Sequence, residues 1–451
     1  MSSTRLPRVL VIDVNAWRKD APSNTLMEIF RAWDPQRLAL IYTSSELPDS
    51  EVCAHYFQIS ESQVLKSLLR PFVQTGREVV NTGNNDNGDI RLERSLRKRA
   101  HASHPKWMRL AREWVWKFGR WKTRELDAFI DAFQPDVLFI PIFPYAYMGR
   151  IQQYVLKRVR RPFAAYLSDD NYSFRACSGV TGYLLRLWNR KYVKSLAVSS
   201  NEMFVIVEKG KEETDRLFGT DSVILTKGID FSKLSFRERT VSLPLKFVYT
   251  GSLLIGRGET LELLAQALDE LNAEYGRLAG ELYIYSQTSP PASILSRLER
   301  GASHFCGAVP HRQIADVVAG ADVVVFAESL KGKKADIARL SFSTKITDYL
   351  SGGKCILAIG KDDIAPMDYF RRNQAALIAV SPAEVKSRIR ELMDNPSLVN
   401  EFGRKAFMCA GRNHDQKMMA ERFVQTMVRA SGSGVKNGTA SGPRKKNRCN
   451  E

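Results

Sequence analysis

The chain alternates between two kinds of segment. Short apolar runs, "RVLVIDV" (8–14), "LALIYTS" (38–44), "DVLFIPIF" (136–143), "FAAYLSD" (163–169) and "EMFVIVE" (202–208), are separated by stretches with helical spacing. Runs that are apolar on both sides belong to strands covered by helices on each face, and the alternation predicts a mostly parallel sheet. "SFRERTVSLPL" (235–245) interrupts this rhythm with charge and a proline, as a linker does. The alternation then restarts with "KFVYTGS", a helical stretch "ETLELLAQALDELNAEYG", "GELYIYS", "SHFCG", "HRQIADVVAG", "ADVVVFA" and "CILAIG". With 451 residues and 44% apolar content there is material for two cores. The expectation is an α/β protein of two Rossmann-like doubly wound domains, residues 1–235 and 236–430. A basic Gly- and Ser-rich tail, 431–451, has too little to bury and is expected to be disordered.

The longest apolar stretch, "VLFIPIFPYAYM", is short and holds two internal prolines, and the N-terminus lacks a signal-peptide core. No membrane span and no secretion are expected. Six scattered cysteines without CxxC spacing argue against a zinc site or a disulfide framework and fit a reducing cytoplasm. The net charge of +18 points to anionic partners, and it is unevenly spread. Between Arg91 and Leu126 stand twelve Lys and Arg against three Glu.

In doubly wound sheets ligands gather beyond the carboxyl ends of the strands. Three loops of the second half stand out there. After "KFVYT", Gly251 permits close backbone approach and Arg257 offers a fork of donors suited to phosphate. "GAVPHRQI" offers irregular backbone to a flat base. After "DVVVFA" a loop of roughly fifteen residues, longer than a simple connector needs to be, carries Lys331, Lys333, Lys334 and Arg339. It leads into "SFSTKITDYLSGGK", in which Ile346, Tyr349 and Leu350 share one helical face and Gly352 and Gly353 end the helix. The N-terminus of that helix presents amide donors and a positive dipole end beside Ser343, Thr344 and Lys345, as an anion site does. Asp348, one turn on, can accept hydrogen bonds from ribose hydroxyls. The plainer alternative makes Ser343 and Thr344 helix caps and Asp348 a solvated residue.

The strings "YTGSLLIGRG", "GAVPHRQIADVVAGADVVV" and "STKITDYLSGGKCIL" resemble hallmark segments of the donor domain of retaining family 4 glycosyltransferases, which have the GT-B fold and include bacterial surface-polysaccharide enzymes. "ILTKGIDFSKL" resembles the segment that precedes that domain. The likeness covers roughly residues 200 to 425, while the first 200 match weakly. It implies a nucleotide diphosphate sugar as donor, no cofactor and no dedicated metal site. Arg257 falls in the place of the family's phosphate-binding lysine, and Asp348 in that of the glutamate that holds the ribose. Ser252 stands where an arginine is usual, so that phosphate contact is either missing or supplied by Lys345. Leu340 stands where the family's sugar-contacting glutamate would fall, and Glu328 is the substitute in the same loop. The acceptor implied is a glycan or lipid-linked glycan, handled in the cytoplasm or at the inner membrane face.

On the acceptor side, Asp169 and Asp170 follow a buried run at its carboxyl end and are the candidate catalytic residues; loop solvation and capping are the alternative. Tyr145, Tyr147 and Arg150 end the neighbouring run, either as an acceptor platform or as packing. Trp107, Leu110, Trp114, Phe118 and Trp121 recur at helical spacing among cations, which suits either an anionic membrane surface or core packing. A sugar-nucleotide epimerase on the same fold and a basic nucleic-acid-binding protein are the competing readings. No nucleic acid partner is expected, because the cations accompany helical tryptophans and no nucleic-acid module. The first loop has no GxGxxG, which counts against a dinucleotide oxidoreductase.

Overall fold

The computed structural model describes residues 6–19, 25–70, 72–79 and 106–432. The tail from 433 onward and the basic stretch up to residue 105 therefore lie outside the described residues. The apolar runs become the strands of two sheets. In the first, Val9–Asp13 (β1), Leu38–Tyr42 (β2), His55–Ile59 (β3), Gly76–Val79 (β4), Val137–Pro141 (β5), Phe163–Leu167 (β6), Glu202–Val205 (β7) and Val223–Ile224 (β8) lie in the order β4-β3-β2-β1-β5-β6-β7-β8. Neighbours are parallel except β3 and β4.

The second sheet contains Leu245–Thr250 (β9), Gly280–Tyr285 (β10), Ser303–Gly307 (β11), Val323–Ala327 (β12), Cys355–Ile359 (β13) and Leu377–Ala379 (β14). Their order is β11-β10-β9-β12-β13-β14, parallel throughout. Every residue of β1, β2, β5, β6, β12 and β13 is buried, because helices cover both faces. Strand order reverses between β1 and β5 and between β9 and β12, and each reversal opens a crevice at the carboxyl edge.

The structure corrects the expected assignment of residues up to 430 to the second unit. The last helix, Gln416–Ala430, packs into the core of the first sheet. Phe423 meets Phe30 at 4.8 Å and Phe139 at 5.7 Å, while Met427 and Ala430 continue the same buried face. Apolar spacing alone carries no information about which of two cores a helix will join. The chain thus crosses twice between the sheets, and the crossings are strapped together: Ile229 N–H donates to the His414 carbonyl (2.7 Å) and Gln416 N–H to the Ile229 carbonyl (2.9 Å). The linker is fastened to the second unit, where the Arg239 guanidinium donates to the Ala321 carbonyl at 2.9 Å.

Candidate functional site

β9 and β12 flank the strand reversal of the second sheet, and the loops that leave them build the site. Beyond Thr250 the backbone turns at Gly251 with φ 156°; a Cβ there would lie 2.0 Å from Lys345 Nζ. Only glycine leaves that space to the ammonium group. The Tyr249 ring lies 5.6 Å from the same Nζ, and its hydroxyl donates to the Ser252 carbonyl at 2.7 Å. Ser252 is itself part of the loop's framework, accepting from Leu254 N–H at 3.2 Å.

The loop ends at Gly256 with φ 84°, where a Cβ would meet Ser329 at 2.8 Å, so the loops after β9 and β12 pack closely. Helix Arg257–Tyr275 then opens with Arg257, whose Nη2 donates to Glu328 Oε1 (2.7 Å) and Nε to Oε2 (3.0 Å). Glu328 is buried at the end of β12. This fork-on-fork pair fixes both side chains.

Helix Thr344–Ser351 follows the long loop. Ser343 occupies its N-cap position but makes no side-chain capping bond, so the capping alternative for it does not hold here. The dipole end stays open beside Lys345. Burial and the charge of Arg257 bring the Lys345 ammonium down to about 8, partly offset by Glu328. Among the described residues no carboxylate lies within ion-pair distance of it. A guanidinium, an ammonium and an open helix N-terminus thus meet at one crevice around a single carboxylate, a combination that favours an anion. Asp348 points to the other unit, where its Oδ1 accepts from Lys227 Nζ at 2.5 Å.

The acceptor-side candidates meet this same loop. Arg339 is buried; its Nε and Nη2 donate to Asp170 Oδ2 at 3.0 and 2.6 Å, and Nη2 also to Glu213 Oε1 at 2.6 Å. Burial pushes the Asp170 carboxyl up, but hydrogen bonding from Ser173 and the Arg339 guanidinium outweigh it and hold it below its ordinary value. Asp170 therefore anchors the loop from the second unit, and it is not an open carboxylate. Asp169 stays exposed and accepts from the Ser341 hydroxyl.

Tyr147 and Arg150 do not form a platform: Tyr147 is fully buried and stacked on Trp116 at 4.8 Å, and Arg150 pairs with Glu113 at 2.8 Å. Tyr145 is half-buried against Tyr147 at 5.7 Å. Two groups escaped the sequence reading. Arg339 was visible only as one cation of a basic loop. Asp13, whose place at the end of the first run was a legible signal, is buried at the first sheet's own reversal, and burial raises it to about 6.

No family model and no curated protein matches the chain by sequence. Solved structures do match by shape. HepE from Anabaena, crystallised with UDP, superposes with a TM-score of 0.61 at 10% identity, over 94% of this chain and 100% of that one. The fold is GT-B. Sucrose-phosphate synthase from Thermosynechococcus elongatus gives a TM-score of 0.60 at 10% identity over 94% and 99% of the two chains. α,α-Trehalose 6-phosphate synthase from Burkholderia multivorans gives 0.55 at 10% identity over 96% and 99%. These likenesses span both sheets.

Proposed function

We propose that the protein is a glycosyltransferase that takes a sugar from a nucleotide diphosphate sugar and passes it to a glycan or lipid-linked glycan, in assembly of a surface polysaccharide. The observation that carries the reading is Lys345, wedged against Gly251 beside Arg257 at an uncapped helix start, with no carboxylate at ion-pair distance among the described residues. A diphosphate supplies the missing charge. HepE, of the same fold, was crystallised with UDP-glucose as well as UDP.

In this reading the bond between the sugar's anomeric carbon and the β-phosphate oxygen breaks, and negative charge grows on the departing diphosphate. Arg257, Lys345 and the first-turn amides of helix Thr344–Ser351 offset that charge, so the scheme assigns no step to a metal ion. The acceptor hydroxyl attacks from the face the diphosphate leaves and gives its proton to a departing phosphate oxygen, which retains configuration. Asp348 exchanges Lys227 for the ribose hydroxyls, and Asp169 is the exposed acid left to meet the acceptor.

Calorimetric titration with UDP and GDP tests the site. One of them is expected to bind, and Lys345→Ala to weaken it about tenfold or more, the size of a charge-assisted contact. Affinity unchanged in Lys345→Ala would remove the basis of the reading. Donor incubated without acceptor is expected to yield no epimerised nucleotide sugar.

A further inference from the structure

Helix Lys106–Phe118 lies between the turn after helix Glu61–Lys66 and helix Gly179–Ser199, and all three leave large apolar side chains in solvent. Trp107 is 64% exposed, Phe118 61% and Trp114 48%; Phe72 is 95% exposed on one flank and Val180 78% on the other. The patch is continuous across the elements. Trp114 stacks on Phe118 at 5.3 Å and meets Trp188 of the long helix edge-on at 6.4 Å. On the opposite flank Arg120 N–H donates to Ser67 Oγ at 3.0 Å, which sets exposed Leu68 and Leu69 beside the helix end. Trp121, which the sequence spacing placed in the same stripe, turns inward and is buried with Trp116. The outward face is therefore narrower than the spacing implied and broader in its neighbours.

The charge around this face is mostly positive; the flanking helix adds one acid, Glu61, which is paired with Arg112. Residues 65–72 include Lys66 and Arg70 and no acid; residues 179–199 include Arg186, Arg190, Lys191 and Lys194 and no acid. Residues 106–118 hold one acid, Glu113, buried against Arg150. Beside the patch lies a cavity of about 380 Å³ floored by Trp116 and Trp121 and lined by Lys117, Lys122 and Lys157. Among the described residues none of these three ammonium groups has a carboxylate partner. Lys117 and Lys122 lie over the rings of Trp114 and Trp121 at 5.1 and 5.3 Å.

Apolar side chains of this size left in water in so contiguous a patch mark an interaction surface. Two copies brought face to face would oppose like charges, which disfavours self-association. We propose that this face docks on an anionic lipid leaflet, with Trp107, Trp114 and Phe118 entering the interface and Lys117, Lys122 and Lys157 taking lipid phosphates at the cavity. The inference stands apart from the donor site, whose residues it does not use.

Co-sedimentation of the full chain with vesicles tests it. Binding is expected to vesicles containing phosphatidylglycerol, not to phosphatidylcholine alone, and to weaken as salt is added. Trp107→Ser with Phe118→Ser is expected to lower binding about tenfold or more without moving Tm, since both rings are exposed. Lys117→Glu, Lys122→Glu and Lys157→Glu are each expected to cost roughly fivefold or more. UDP or GDP affinity in all these variants should equal that of the parent, which keeps this test separate from the donor site. Absence of binding by the parent chain, or equal binding by the variants, would overturn the proposal. So would sedimentation velocity showing a dimer that Trp107→Ser and Phe118→Ser dissolve, because the face would then belong to a second copy.

Discussion

At the carboxyl edge of the second sheet Lys345 has no carboxylate at ion-pair distance among the described residues, while at the same edge of the first sheet Asp170 is already paired. Both edges belong to doubly wound sheets with a strand reversal, yet one holds an open cationic site and the other an acid closed by a neighbour. The closing group comes from the loop that builds the open site. Residues 328–343 begin with Glu328, which holds Arg257; pass through Arg339, which holds Asp170 and Glu213; and end at the uncapped Ser343 beside Lys345. A shared architecture therefore leaves the chemistry of each crevice to its loops, and one loop here joins the two.

The contrast breaks most severely at Arg339. Arg339→Ala leaves Asp170 and Glu213 without their cation, and loss of about 3–5 kcal/mol of stability is expected in denaturant unfolding. Restoring neutrality with Asp170→Asn and Glu213→Gln in the same chain should recover a large part of it. A loss below about 1 kcal/mol would mean that water already screens this pair in solution, as at an exposed bridge.

A smaller effect should appear in the pH dependence of nucleoside diphosphate binding. With the Lys345 ammonium brought down to about 8 in the free protein, a bound diphosphate favours its charged form. Affinity should hold below that pH and fall as pH rises through it, and the fall should be reduced in Lys345→Ala. Equal slopes in the two proteins would place the titrating group elsewhere. The least effect is expected at Ser343. Ser343→Ala removes no capping bond and should change stability by less than about 0.5 kcal/mol. Thr123→Ala, which loses the bond its hydroxyl accepts from Leu126 N–H at 3.2 Å, should cost about 1 kcal/mol. Equal costs at the two positions would contradict the open helix start.

Much of the scaffold was readable residue by residue. Strands β1, β2, β5, β6, β12 and β13 follow from unbroken apolar runs, because burial on both faces is a property of the strand itself. β4 and β8 are short edge strands with little buried surface, and their residues "GREV" and "VI" carry no run that marks them. Gly251, Arg257 and Lys345 were visible as a site because each stands at the junction of a run and a helix. The places of Tyr147, Arg150 and Trp121 were not, since an aromatic or cation at helical spacing reads alike on a buried and an exposed face.

Local order was thus encoded along the chain: alternation, strand ends, and a lysine set at the start of a short helix after a long loop. Three-dimensional packing alone decided that Phe423 joins the first sheet and that Arg339 closes on Asp170. The reason is separation, for Arg339 and Asp170 lie 169 positions apart. Hydrophobic periodicity and helix dipoles act over a few residues, whereas the pairing of charges across a crevice depends on where two folded units come to rest.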